Sequence, residues 1–191
     1  MVEQTLIFLL TTVGDLFVLA LLLRFVLQWL RAPARNQLSE FLAALTNFIV
    51  LPARRVIPGW WGLDLATLVV AWLVAALQLW LVLQIKGYEL GSAAGVALAA
   101  VAALAAIDIA RLAVYVVMIA VVLQAVLSWV NPHSALAPVL TVVTRPFLRP
   151  FQKVVPMVAN VDLSPLIVLL ICQLLIAVPL LWLEKTVGRL L

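Results

Sequence analysis

Four long apolar stretches, roughly residues 6–30, 63–85, 93–130 and 163–183, constrain this chain more than any other feature. A helix rises about 1.5 Å per residue and a bilayer's hydrocarbon core is about 30 Å thick, so about 20 apolar residues suffice for one crossing. The 191 residues therefore have room for four crossings and two substantial loops. Composition agrees: 67% of residues are hydrophobic and 10% charged, against about 25% charged in a soluble domain. The fold class expected is an all-α membrane protein. Met1-Val2-Glu3 carries no basic stretch, and the run after it contains Asp15, so it is read as the first span rather than a cleavable signal.

The third stretch is ambiguous, being too long for a single perpendicular crossing. Either it is one tilted helix with a protruding start, or residues 91–106 make a separate short pass. An internal repeat bears on the choice. Leu27-Gln28-Trp29-Leu30 aligns with Leu127-Ser128-Trp129-Val130. With a loop two residues shorter, Thr46, Pro52, Val56, Pro58, Asp64 and Leu68 align with Thr144, Pro150, Val154, Pro156, Asp162 and Leu166. Each copy, residues 1–90 and 91–191, reads as a span ending in tryptophan, a basic proline-containing loop, an aspartate and a second span. The result is two tandem helical-hairpin repeats, running parallel, with both loops on one side.

Charge agrees with that topology. The first loop carries Arg31, Arg35, Arg54 and Arg55 against Glu40, and the second carries Arg145, Arg149 and Lys153. The positive-inside rule places both in the cytoplasm, with both termini outside. The other side is nearly balanced: Glu3, Lys86, Glu89, Glu184, Lys185 and Arg189. A fifth pass would split the basic loops between the two faces. In the first loop Leu38, Phe41, Leu42, Leu45, Phe48 and Ile49 recur at helical spacing, which predicts an amphipathic interfacial helix with Asn36 as N-cap. In the second loop Pro138, Pro146 and Pro150 interrupt helical periodicity, so a short helix and then an extended segment are expected.

Several of these motifs resemble the YggT family. Arg24-Phe25 with Gln28-Trp29, the run Leu51-Pro52-Ala53-Arg54-Arg55-Val56-Ile57-Pro58 and Gly62-Leu63-Asp64-Leu65-Ala66 are similar to its first signature. Ser128-Trp129, Arg145-Pro146-Phe147-Leu148-Arg149-Pro150, Lys153-Val154-Val155-Pro156 and Asp162-Leu163-Ser164-Pro165 are similar to its second. Gln37 and Phe48 stand where the family usually has proline. The resemblance implies a multi-pass protein of the bacterial inner (cytoplasmic) membrane with relatives in cyanobacteria and plastids. Those relatives are linked to assembly of a cytochrome b6f haem, to cell division or nucleoid organisation, and to osmotic tolerance. It implies no catalytic residue.

The basic residues Arg54, Arg55, Arg145, Arg149 and Lys153 sit beside apolar faces at the membrane edge. Guanidinium groups there can bind lipid phosphates, at about 1 kcal/mol per cation near an anionic leaflet, or a membrane-protein partner. The plainer reading makes them topology signals. No aromatic stacking platform interleaves with them, which argues against nucleic acid. Asp64 and Asp162 precede matched spans, where a carboxylate caps a helix N-terminus; each could instead pair with the arginines of its own loop. Trp29 and Trp129 suit interfacial anchoring.

Asp15, Arg24, Asp108 and Arg111 are the ionisable groups within or near the apolar spans, where charge is costly. Arg24 is near enough to the Trp29 end to snorkel, and Asp108 and Arg111 are three residues apart on one helix. Asp15 lacks a partner on its own helix. Since Arg111 aligns with Thr11, one turn from Asp15, an Asp15–Arg111 pair across the repeats is expected.

The single cysteine, Cys172, lies in an apolar run, and the single histidine, His133, has no second ligand nearby, so neither a disulfide nor a metal site is expected. No nucleophile–base pair, carboxylate pair, phosphate-binding glycine loop or cofactor motif is present, so an enzyme is the least expected class. The expected function is that of a non-catalytic accessory or assembly factor for membrane components, working through the two basic loops with lipid headgroups, a membrane-protein partner or further copies of itself. The alternative is a small ion channel or transporter component, active as an oligomer because the polar residues in the spans are too sparse to line a monomeric pore.

Overall fold

A computed structural model describes residues 1–32, 37–59, 62–87, 94–131, 134, 136–153 and 162–190. Helices account for nearly all of these: α1 (Val2–Trp29), α2 (Gln37–Val56), α3 (Leu65–Ile85), α4 (Ala94–Val130), α5 (Ala137–Gln152) and α6 (Ser164–Leu175). A π-helical turn at Ile176–Leu180 then joins α6 to α7 (Leu181–Gly188). Pro179 sits in that turn, where the wider spacing accommodates a residue that has no backbone N–H to donate. The Asn36 cap and His133 lie outside the described residues.

Four helical stretches are long and apolar enough to cross a membrane: α1, α3, the Gly95–Val130 part of α4, and the continuous Ser164–Gly188 unit. The third run is one unbroken helix of 37 residues, about 55 Å long. There is no separate short pass among the described residues. Outward-facing Phe8, Leu73, Leu77, Ile119, Leu170 and Leu174 are exposed. In water they would form a large apolar surface, whereas a bilayer matches them at no cost.

Three packed clusters hold the bundle together. Val18, Leu21 and Leu22 of α1 meet Val50 of α2, Val70 and Ala71 of α3 and Ile109 of α4. Leu27 of α1, Leu42 of α2, Ala120 of α4 and Val139 and Val143 of α5 form the second. Val121 of α4, Leu148 of α5 and Val168 and Cys172 of α6 form the third. α4 contributes to all three, so the long third run is the common wall between the repeats. The second cluster takes in both α2 and α5, bridged by α1, at one end of the bundle, so both loop helices occupy the same side.

α2 has the amphipathic character read from the sequence. Leu42, Thr46 and Val50, four residues apart, are buried on one stripe, while Phe41, Leu45 and Phe48 remain exposed. Its Phe48 ring lies 5.7 Å from that of Phe17, tying α2 to α1.

The second loop corrects an expectation. Instead of a short helix followed by extended chain, α5 runs from Ala137 to Gln152 with Pro146 and Pro150 inside it. Each internal proline deletes a helical hydrogen bond, at about 3 kcal/mol in an ordinary helix. Pro146 and Pro150 are exposed and four residues apart, so the missing bonds fall on the outer face, where freed carbonyls can meet water. Val139, Val143, Thr144 and Leu148 are buried on the opposite face, and that packing holds the helix.

Candidate functional site

The loop end carries two matched polar networks. In the first repeat Arg24 donates from Nη1 to Thr46 Oγ1 at 2.6 Å and Asn47 Oδ1 at 2.9 Å. Thr46, fully buried, donates in turn to the Leu42 carbonyl at 2.6 Å. Arg24 thus turns onto α2 instead of snorkelling past the Trp29 end, because a buried hydroxyl and an amide oxygen lie within its reach.

Arg54, in the last turn of α2, reaches the Asp64 carboxylate through Nη2 at 2.5 Å and Nε at 3.2 Å. The same Nη2 donates to Gln28 Oε1 at 3.0 Å. Asp64 caps α3, accepting the Thr67 amide at 3.4 Å and the Thr67 hydroxyl. Burial works to raise its pKa, but the hydrogen bonds from Arg54 and Thr67, with the charge of Arg54, outweigh it and hold the carboxyl below its ordinary value. One aspartate therefore serves both as helix cap and as arginine partner.

The second repeat rebuilds this frame from neutral groups. The residue matched to Arg24 is Gln124, whose amide meets the Thr144 hydroxyl. The residue matched to Arg54 is Gln152, whose Nε2 donates to Asp162 Oδ2 at 2.8 Å. Asp162 also accepts the Ser164 amide at 2.9 Å. Partial burial pushes its pKa up, but the hydrogen bonds from Ser164 and Gln152 bring it below the ordinary value. Gln152 was not among the residues singled out from the sequence; the repeat alignment, which sets it opposite Arg54, carried the signal.

Each network borders a cavity. The first, about 300 Å³, is lined by Arg24, Leu27, Gln28, Arg31, Ala32, Ser39, Leu42 and Arg54. Its counterpart, about 270 Å³, has Gln124, Ser128, Gln152 and Asp162 in its wall. Arg55, Arg145, Arg149 and Lys153 are exposed on α2, on α5 and just past the end of α5. None of these four forms an ion pair among the described residues.

The polar residues deeper in the bundle gather around a third cavity of about 320 Å³, bordered by Thr11, Asp15, Gln78, Asp108, Arg111 and Tyr115 among others. The expected Asp15–Arg111 pair does not form. Asp15 Oδ1 instead accepts Gln78 Nε2 at 2.7 Å, while Arg111 pairs with Glu184 and lies 3.6 Å from Asp108. The unit formed by α6, the π turn and α7 carries Glu184 against α4, nearer to Arg111 than α1 brings Asp15. Both groups nonetheless face one cavity.

A family model described as CCB3/YggT matches residues 3–85 and 103–183, one segment for each hairpin. An uncharacterised protein of Pseudomonas aeruginosa is 35% identical over 171 residues, 88% of this chain and 85% of that protein. The uncharacterised YggT of Escherichia coli is 30% identical over 169 residues, again 88% of this chain and 85% of the relative. An uncharacterised protein of Vibrio alginolyticus is 29% identical over 161 residues, 84% of this chain and 85% of its own length. No solved structure matches. With both hairpins matched and relatives aligned over most of their length, the chain belongs to the CCB3/YggT family.

Proposed function

We propose that this chain is a non-catalytic, multi-pass protein of the bacterial cytoplasmic membrane that acts as an accessory or assembly factor, docking other membrane components on its loop end. One observation carries the reading. Two separate helices, α2 and α5, join one apolar cluster at the same end, and they carry Arg55, Arg145 and Arg149, with Lys153 just beyond, exposed and without ion pairs among the described residues. Four uncompensated cations cost nothing at a surface bathed in anionic headgroups and attract an acidic partner to it. Topology alone needs only the count of positive charges on that side, not their exposure on helices packed against the bundle.

In-cell crosslinking from photoreactive residues at Phe41 and Thr141 tests this, read by mass spectrometry and repeated with Arg55, Arg149 and Lys153 replaced by glutamine. A reproducible protein adduct that disappears in the substituted chain, with orientation unchanged, is the expected outcome. Adducts to lipid or to the chain itself alone would overturn docking of a protein partner.

A second reading, an oligomeric ion channel or transporter component, draws support from the cavity holding Asp15, Gln78, Asp108 and Arg111 inside the bundle. Ion flux in proteoliposomes that is abolished by Asp108→Asn would favour it over the first.

A further inference from the structure

We infer that the first-repeat cavity, walled by Arg24, Arg31 and Arg54, is a binding site for a phosphate-bearing anion, and that the matched cavity of the second repeat is not. The inference deepens the docking reading and rests on it for placing the loop end at a membrane surface. It depends on different cations, so the two can fail separately.

Charge is the first argument. Three guanidinium groups line about 300 Å³, and the carboxylate beside them, Asp64, is taken up by Arg54 and Thr67. Arg24, half-buried, has the neutral Thr46 and Asn47 as its hydrogen-bond partners among the described residues, and it feels the Asp64 carboxylate without bonding to it. With Asp64 bonded to Arg54, a single carboxylate stands against several guanidinium groups, and a partly buried cation with no carboxylate in contact favours an anion from outside.

The second argument comes from the repeat itself. Gln124 and Gln152 maintain the same links to Thr144 and Asp162 without charge. The hydrogen-bond frame can therefore be built without arginine, and what the first repeat adds is positive charge facing a cavity.

The backbone supplies the third. Arg31, next after the C-cap Leu30, has φ +53°, the left-handed step of a Schellman helix end in which the Arg31 and Ala32 amides donate to the Gln28 and Leu27 carbonyls. That turn is what places Arg31 in the cavity wall beside Arg24 and Arg54.

Guanidinium forks match tetrahedral oxyanions. Leu27, Ala32 and Leu42 supply an apolar wall beside them, as suits a phosphate attached to an acyl-bearing headgroup. The same chemistry would accept a free phosphate.

Purified protein in neutral detergent is titrated separately with short-chain phosphatidylglycerol and with inorganic phosphate, using wild type, Arg24→Gln, Arg31→Gln and Arg54→Gln. Saturable binding of the lipid, weakened about tenfold or more by each substitution as expected for a lost charged hydrogen bond, supports the site with a lipid source. The same variant pattern with inorganic phosphate supports it with a soluble source. The Arg31 side chain takes no part in the Arg24–Thr46 and Arg54–Asp64 frame, so Arg31→Gln keeps the test valid if the other variants fold poorly. No saturable binding of either probe overturns the inference. So does a loss of affinity as large in Arg55→Gln and Arg149→Gln as in the cavity variants. If partner adducts depend on Arg55, Arg149 and Lys153 while neither probe binds, docking stands and the anion site falls.

Discussion

The Arg54 guanidinium lies 2.5 Å from the Asp64 carboxylate, joining the last turn of α2 to the cap of α3. The carboxylate side chain is 3% exposed and the guanidinium 38%, so the pair is anchored in protein on one side and open on the other. The two partners are consequently unequal. Removing Asp64 strips both a helix cap and the partner of a cation, whereas Arg54 can be replaced by a shorter donor.

Asp64→Ala is accordingly expected to cost about 2–3 kcal/mol, below the figure for a fully buried pair because Arg54 retains access to solvent. Arg54→Gln, which copies the Gln152–Asp162 arrangement, is expected to cost about 1 kcal/mol. Denaturant-induced unfolding in detergent measures both, and equal costs would show that the cap contributes nothing.

Acid should weaken the loop end. Asp64 and Asp162 both have pKa values below the ordinary carboxylate value in the folded chain. A depressed folded value stabilises the fold above the unfolded pKa of about 3.9, and that contribution disappears as pH falls through the folded value. Melting temperature should therefore fall as the pH drops below about 4, and the Asp64→Asn, Asp162→Asn double variant should show a flatter profile. An identical profile would place the acid sensitivity elsewhere.

Gly14 faces the Gln78 side chain so closely that an added Cβ would collide with Gln78 Oε1. Gly14→Ala should push the amide away from Asp15 and cost about 1 kcal/mol through the lost hydrogen bond. In a Gln78→Ala background the same substitution should be neutral or stabilising, since alanine favours a helix over glycine by about 1 kcal/mol. A cost that is the same in both backgrounds would mean that Gly14 serves something other than this contact.

Arg111 couples to Glu184 and not to Asp15. Double-mutant cycles on unfolding should give Arg111–Glu184 a coupling of about 1 kcal/mol and Arg111–Asp15 a value near zero. The reverse ranking would restore the cross-repeat pair that sequence alignment suggests.

How much of this was legible in the chain depends on distance along it. The four apolar runs, the repeat with its parallel hairpins, the amphipathic α2 and the aspartate before each second span follow from periodicity and local chemistry. Those are properties of neighbours on one helix, where 3.6 residues per turn decides which side chains share a face. The helical period of α2 could be read directly, but its buried stripe of Leu42, Thr46 and Val50 could not, and Phe41, Leu45 and Phe48 of the apolar set stay exposed.

Partner choice between helices was decided only by tertiary packing. Arg111 turns to Glu184 because α7 lies against α4; Arg24 turns to Thr46 because α2 folds back onto α1; and α5 remains helical through two prolines because its opposite face is buried. Each outcome depends on how helices cross and rotate against one another, which ridges and grooves across the whole bundle set and no local window contains. The sequence by itself determined where the four apolar spans lie and where the charges fall along the chain; the packing alone determined which charges meet, and that three arginines line one cavity while its counterpart has two glutamines and Asp162 in its wall.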